Sequence, residues 1–210
     1  MLPQWVRRVT IAPAVVLLTG VMLLTAPLIL MAGLALSPGF PGRWRPLRFI
    51  WFAILYLVLD AGLLLVLFGL WIATGFGAFV SAPWSQRAHY RLLAFALRVL
   101  EHEAGRVLNV RIESTGATPD DFRGRPLLVL SRHAGAGDSF LLVDLLINWY
   151  SREPRIVLKA ALQWDPALDV LLNRLPTLFV DNDPRVDRLA LIGDLASNLD
   201  HNDAFTIFPE

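Results

Sequence analysis

Residues 126–144 read PLLVLSRHAGAGDSFLLVD. The apolar run Leu127–Leu130 has the length and composition of a buried strand. It ends at Ser131-Arg132-His133, crosses the small-residue loop Ala134-Gly135-Ala136-Gly137, and meets Asp138 where a helical apolar pattern opens. A histidine at a strand end with an aspartate five residues on can bring imidazole and carboxylate side by side. Such a pair serves as general base for an alcohol: the imidazole takes the proton, and the carboxylate fixes its tautomer and stabilises the imidazolium. The competing reading is structural. Gly135 and Gly137 permit a tight turn, Asp138 or Ser139 caps the next helix, and His133 is a surface residue.

Downstream, short apolar runs alternate with helical ones. Strands are expected near Val107–Glu113 and at Leu127–Leu130, Arg155–Leu158, Thr177–Val180 and Ala204–Phe208. Helices are expected at Ser139–Tyr150, Pro166–Arg174 and Arg185–Leu199. This alternation predicts an α/β domain over 107–210, with a mostly parallel sheet flanked by helices. Sites in such sheets gather at the carboxyl ends of strands, where His133 falls.

Upstream, Val9 to Gly42 carries no charged residue, and Phe49 to Gln86 carries only Asp60. Each stretch exceeds the roughly 20 residues that cross a bilayer core. The apolar run is also far longer than the h-region of a signal peptide, about 15 residues at most. Residues 1–84 therefore read as a membrane anchor of two helices, with Trp44, Trp51, Trp71 and Trp84 near interfacial positions. Two full spans and a hairpin dipping into one leaflet both fit, because Arg7 and Arg8 compete with Arg43, Arg45 and Arg48 in the positive-inside count. Asp60 is costly in lipid; it is either a functional group or a residue facing the partner helix or an interface. Residues 85–106 read as an amphipathic helix. Leu92, Leu93, Ala96, Val99 and Leu100 form one face, and Arg87, Arg91 and Arg98 add positive charge. It lies either on an anionic membrane surface or against the domain.

The composition supports this division. Mean hydropathy is +0.53, high for a soluble domain. Residues 1–84 hold five arginines against one aspartate (+4), and residues 85–210 hold fourteen basic against seventeen acidic side chains (−3). That balance is unlike a nucleic-acid binder. With no cysteine, disulfides, thiolate metal sites and cysteine nucleophiles are excluded. The four histidines show no metal-ligand spacing, so no metal is expected.

Arg132-His133-Ala134-Gly135-Ala136-Gly137-Asp138 resembles the first motif, N-H-x4-D, of the glycerolipid acyltransferases of the lysophosphatidic acid acyltransferase type. Lys159-x-x-Leu162-x-x-x-Pro166 resembles the segment after that motif. Thr177-Leu178-Phe179-Val180-Asp181 is similar to the second motif, G-x-x-F-I-D-R, and Phe208-Pro209-Glu210 to the opening of the third, F-P-E-G. The motifs keep the family's order over Leu127–Glu210. Arg132 stands where the family has Asn, Pro176 where it has Gly, and Asn182 where it has Arg. The chain ends inside the third motif, which reads as a C-terminally incomplete domain.

The resemblance implies a glycerol-3-phosphate acyltransferase-like fold and a membrane-bound O-acyltransferase of phospholipid biosynthesis. It implies His133 as general base, Asp138 as its orienting partner, and acyl-CoA or acyl-acyl carrier protein as co-substrate, with no other cofactor. The acceptor would be a lysophospholipid or glycerol phosphate. Arg132, Lys159, Asn182, Arg185, Arg188 and Glu210 fall at candidate substrate-binding positions. Lys159 is the only lysine beside eighteen arginines. The expected partner is the lipid bilayer and not a nucleic acid, with the catalytic domain on the cytoplasmic face of the plasma membrane. Two alternatives are a GDS-type serine lipase using Ser139 and a catalytically inactive membrane scaffold.

Overall fold

The protein is described by a computed structural model over residues 2–42, 44–113, 115, 124–132, 137–180, 188–197 and 199–208. It opens with two long helices, α1 (Gln4–Leu36) and α2 (Arg45–Ala73), packed as a hairpin. Both are long and apolar enough to cross a membrane. Gly33 lets them approach closely: a Cβ there would lie 2.6 Å from Ile50 Cδ1. The Thr19 hydroxyl donates to Val15 O at 2.8 Å and to Leu57 O at 3.3 Å, so α1 bonds α2 directly. Much of the hairpin's outer surface is exposed apolar side chain, including Leu17, Leu24, Leu28, Val58 and Phe68.

Its inner surface is not a free anchor. Ala12, Val15, Val16, Leu63, Leu64 and Leu67 share one hydrophobic cluster with residues of the C-terminal domain. Arg7, read above as a topology signal, is buried, with Nη2 2.7 Å from Asp169 Oδ1. Arg8 Nε lies 3.5 Å from Asp169 Oδ2. Asp60 is buried as well, with polar partners in the domain. The Ala167 N–H and the Asp165 carboxyl hydrogen-bond it.

α3 (Pro83–Glu103) turns Tyr90, Leu93, Ala96 and Leu97 inward. Its apolar face therefore packs on the domain, and Phe95 stays exposed. Beyond it, Ala104–Leu108 forms a π-helical turn ending on Asn109 at φ 60°. The strand expected near Val107–Glu113 is absent. The left-handed residue breaks the extended run, and the Val107 carbonyl is taken by the Arg48 side chain instead of a neighbouring strand.

Among the described residues the sheet has four parallel strands in the order β1-β4-β2-β3: β1 (Leu127–Leu130), β2 (Glu153–Lys159), β3 (Thr177–Val180) and β4 (Asp203–Ile207). The connecting helices are α4 (Asp138–Asp144, continued by a π-helical turn to Trp149), α5 (Pro166–Leu172) and α6 (Arg188–Ser197). β4 lies inside the sheet, and Ala204, Phe205 and Thr206 are buried. β1 is not the fully buried strand expected. Leu128 and Leu130, which share one face of the sheet, are about two-thirds exposed. α5 starts sharply because Pro166 is fixed for the first helical turn and the Asp165 side chain accepts the Leu168 N–H at 2.9 Å.

A buried polar cluster ties α3 to the end of α5. His89 Nδ1 is 2.7 Å from Ser85 O, a pure acceptor, so Nδ1 carries the proton. Nε2 then accepts from Arg174 Nη1 at 3.3 Å, and Arg174 also donates to Leu67 O at 2.9 Å. Burial holds the imidazole below its ordinary pKa, and the Arg174 charge acts in the same direction. The folded state therefore binds less proton here than the unfolded chain. Its stability is fully present above about pH 6.5 and is lost as the pH falls below that value. Thermal unfolding at pH 8 and pH 5.5 checks this: the melting temperature of the wild type is expected to fall more than that of His89→Gln.

Candidate active site

Because all four strands run parallel, their carboxyl ends share one edge of the sheet. The register aligns Leu130 with Ile207 and Lys159 with Val180. Neighbouring strands lie about 4.8 Å apart, so the outer two are separated by roughly 15 Å. The three motif-like segments and the Lys159 segment follow strands that end at this edge: after β1, at the end of β2, after β3 and after β4. The strand order is useful, since β1, which leads to His133, is the direct neighbour of β4, which leads to Glu210. Ser131 N–H donates to Ile207 O at 3.1 Å, extending that pairing by one residue.

Three of the eight expected site residues have described side chains. Arg132 is exposed just beyond β1, Lys159 is exposed as the last residue of β2, and Asp138 is half-buried as the first residue of α4. Gly137, not Asp138 or Ser139, occupies the N-cap, without a side-chain hydrogen bond. Asp138 instead lies in the first turn, where the helix dipole favours a carboxylate. Ser139 is half-buried in the same turn. His133, Asn182, Arg185 and Glu210 lie outside the described residues, and Arg188 is described only as the first backbone position of α6. The structure thus brings Arg132, Asp138 and Lys159 to one sheet edge. Among the described residues no cluster of His, Asp or Glu has the makings of a metal site.

The hairpin reaches past this edge. α5 runs from Asp165, near the end of β2, back toward Leu172. α2 runs parallel to it: the Tyr56 hydroxyl donates to Asp165, and Leu67 lies level with Arg174. Residues 45–55 of α2, which precede Tyr56, extend roughly 16 Å beyond the Asp165 end. They end beside the π-helical turn, where Arg48 meets Val107 and Trp51 Nε1 donates to Glu103 Oε2 at 3.2 Å. Sequence reasoning counted Arg48 only as a topology charge; no local signal pairs it with a carbonyl 59 residues away.

An α/β domain with its candidate residues at the carboxyl edge, held against a long apolar helical hairpin, is the class that fold and site define. Residues 109–210 match the model of the Acyltransferase family. No curated protein and no solved structure matches the chain.

Proposed function

We propose that the protein transfers a fatty acyl group from a thioester donor to the hydroxyl of a lysophospholipid or glycerol phosphate at the membrane surface. The observation that carries this reading is the match of residues 109–210 to the Acyltransferase model, with the His133-x4-Asp138 spacing at the end of β1. His133 removes the acceptor hydroxyl proton as the oxygen attacks the thioester carbonyl. Asp138 orients the imidazole and stabilises its cation. The tetrahedral oxyanion is held by backbone N–H groups, as at other acyl-transfer sites. The C–S bond then breaks, and the departing thiolate takes the proton back from His133. No covalent acyl-enzyme is needed, and neither metal nor redox cofactor enters the scheme.

Arg132 and Lys159 supply cations for phosphate groups of donor or acceptor. Arg185 and Arg188 take the part of the arginine that Asn182 replaces, and Glu210 shapes the acceptor site. The donor is acyl-CoA or acyl-acyl carrier protein. The exposed apolar hairpin seats the domain on the cytoplasmic face of the plasma membrane, where acceptor and product reside. The test is direct. Full-length protein in neutral detergent, given radiolabelled palmitoyl-CoA, is expected to acylate lysophosphatidic acid or glycerol 3-phosphate more than lysophosphatidylcholine. Absence of an esterified product with every acceptor overturns the assignment.

A further inference from the structure

Where the hairpin overhangs the sheet edge, its tip and the π-helical turn enclose an open groove of about 970 Å³. That is the size of a site for one small-molecule or lipid ligand, roughly 300–1,000 Å³. Leu30, Met31 and Leu34 of α1, Leu47 and Trp51 of α2, and Val107 form an apolar wall. Arg48 and Arg106 stand among them. Arg48 is half-buried and fixed by its bond to Val107 O, whereas the Arg106 side chain is 63% exposed. Glu103 is the carboxylate beside Arg106. It accepts from Trp51 and lies 3.5 Å from a single Arg106 nitrogen. Two guanidiniums against one carboxylate leave the rim positive.

We propose that this groove, whose lining includes none of Arg132, Asp138 and Lys159, binds a single anionic amphiphile, one alkyl chain carrying a phosphate-type headgroup. A water-soluble anion has no use for the apolar wall, and a neutral alkane has none for the guanidiniums. Arginine forks match phosphate oxygens with paired, charge-assisted hydrogen bonds. The wall merges with exposed apolar surface of the hairpin, where Leu24, Leu28 and Phe40 are each more than half exposed. A lipid therefore reaches the groove by sliding along the bilayer, without leaving it.

Hexadecyl phosphate is the probe, because it has no hydroxyl to be acylated; hexadecylphosphocholine is its neutral counterpart. Binding to the full chain in neutral detergent is read by native mass spectrometry. The phosphate is expected to bind about tenfold more tightly than the phosphocholine, a difference one good charge-assisted contact supplies. Arg106→Glu is expected to erase that preference, and Leu34→Trp or Met31→Trp to weaken both probes by filling the groove. Lys159→Glu, which reverses a cation assigned to phosphate at the proposed acyl-transfer site, is expected to keep hexadecyl phosphate binding intact, which separates this groove from that site. Equal binding of the two probes overturns the inference. So does indifference to all three groove substitutions, loss of binding in Lys159→Glu, or competition by inorganic phosphate as strong as that of the alkyl phosphate.

Discussion

His133→Ala is expected to lower acyl transfer by roughly 10²–10⁴-fold, the range that a positioned general base contributes. An alcohol at neutral pH holds its proton so tightly that its oxygen is a poor nucleophile toward a thioester. Without the imidazole, water must accept that proton, and the barrier rises accordingly. Asp138→Asn is expected to cost less than His133→Ala, because an amide still hydrogen-bonds the ring but does not stabilise the imidazolium. Single-turnover rates and KM for the acceptor check both variants. The proposed roles require the loss in kcat, with KM little changed, since neither group is assigned to ground-state binding. A pH profile adds an independent reading: the acidic limb of kcat/KM that reports the free imidazole should be present in the wild type and vanish in His133→Ala.

Much of the C-terminal domain was legible in residue patterns. Thr177–Val180 is both the expected and the observed strand, and Pro166, with Asp165 before it, marks the start of α5 without ambiguity. Alternation of strands and helices was enough to end at one edge the strands that lead to the three motif-like segments and to Lys159, because a parallel sheet has no other arrangement of its carboxyl ends. The failures have physical causes. Val107–Glu113 has the apolar spacing of a strand, but a strand exists only by pairing, and Arg48 claims the carbonyl that pairing would have used. Leu127–Leu130 is uniformly apolar, yet Leu128 and Leu130 share one face of the sheet and stay exposed there, which is invisible in four residues. At the candidate site, residue types and spacing were readable, whereas the helix start was misjudged: a glycine caps α4, and the aspartate sits one position inside it. The largest omission was the grip between the hairpin and the domain. Arg7 and Asp169 stand 162 positions apart, and each alone reads as an ordinary surface charge.

That grip carries the second large effect. Asp169 is 1% exposed and serves Arg7 at 2.7 Å, Asn173 Nδ2 at 3.0 Å and, more loosely, Arg8. Asp169→Ala strips the counter-charge from an Arg7 that is itself 5% exposed. Arg7 Nη1 keeps the Leu2 carbonyl at 2.8 Å, but a backbone dipole does not neutralise a buried guanidinium. Breaking a buried pair in this way costs about 3–5 kcal/mol. For a chain of this size that corresponds to a fall in melting temperature of roughly 6–20 °C. Arg8, one-third exposed, can turn toward solvent and adds little to the loss. The paired substitution Arg7→Met with Asp169→Leu removes both charges and refills the space with apolar volume. It is expected to recover most of the lost stability, because replacing a whole buried pair is often neutral. Thermal unfolding of the three proteins in neutral detergent decides the matter. If Asp169→Ala melts with the wild type, the hairpin is held by its apolar contacts alone, and Arg7 is a passenger in the interface. If the double variant melts as low as the single one, the loss belongs to the Asn173 and backbone contacts of Asp169 and not to the buried charge.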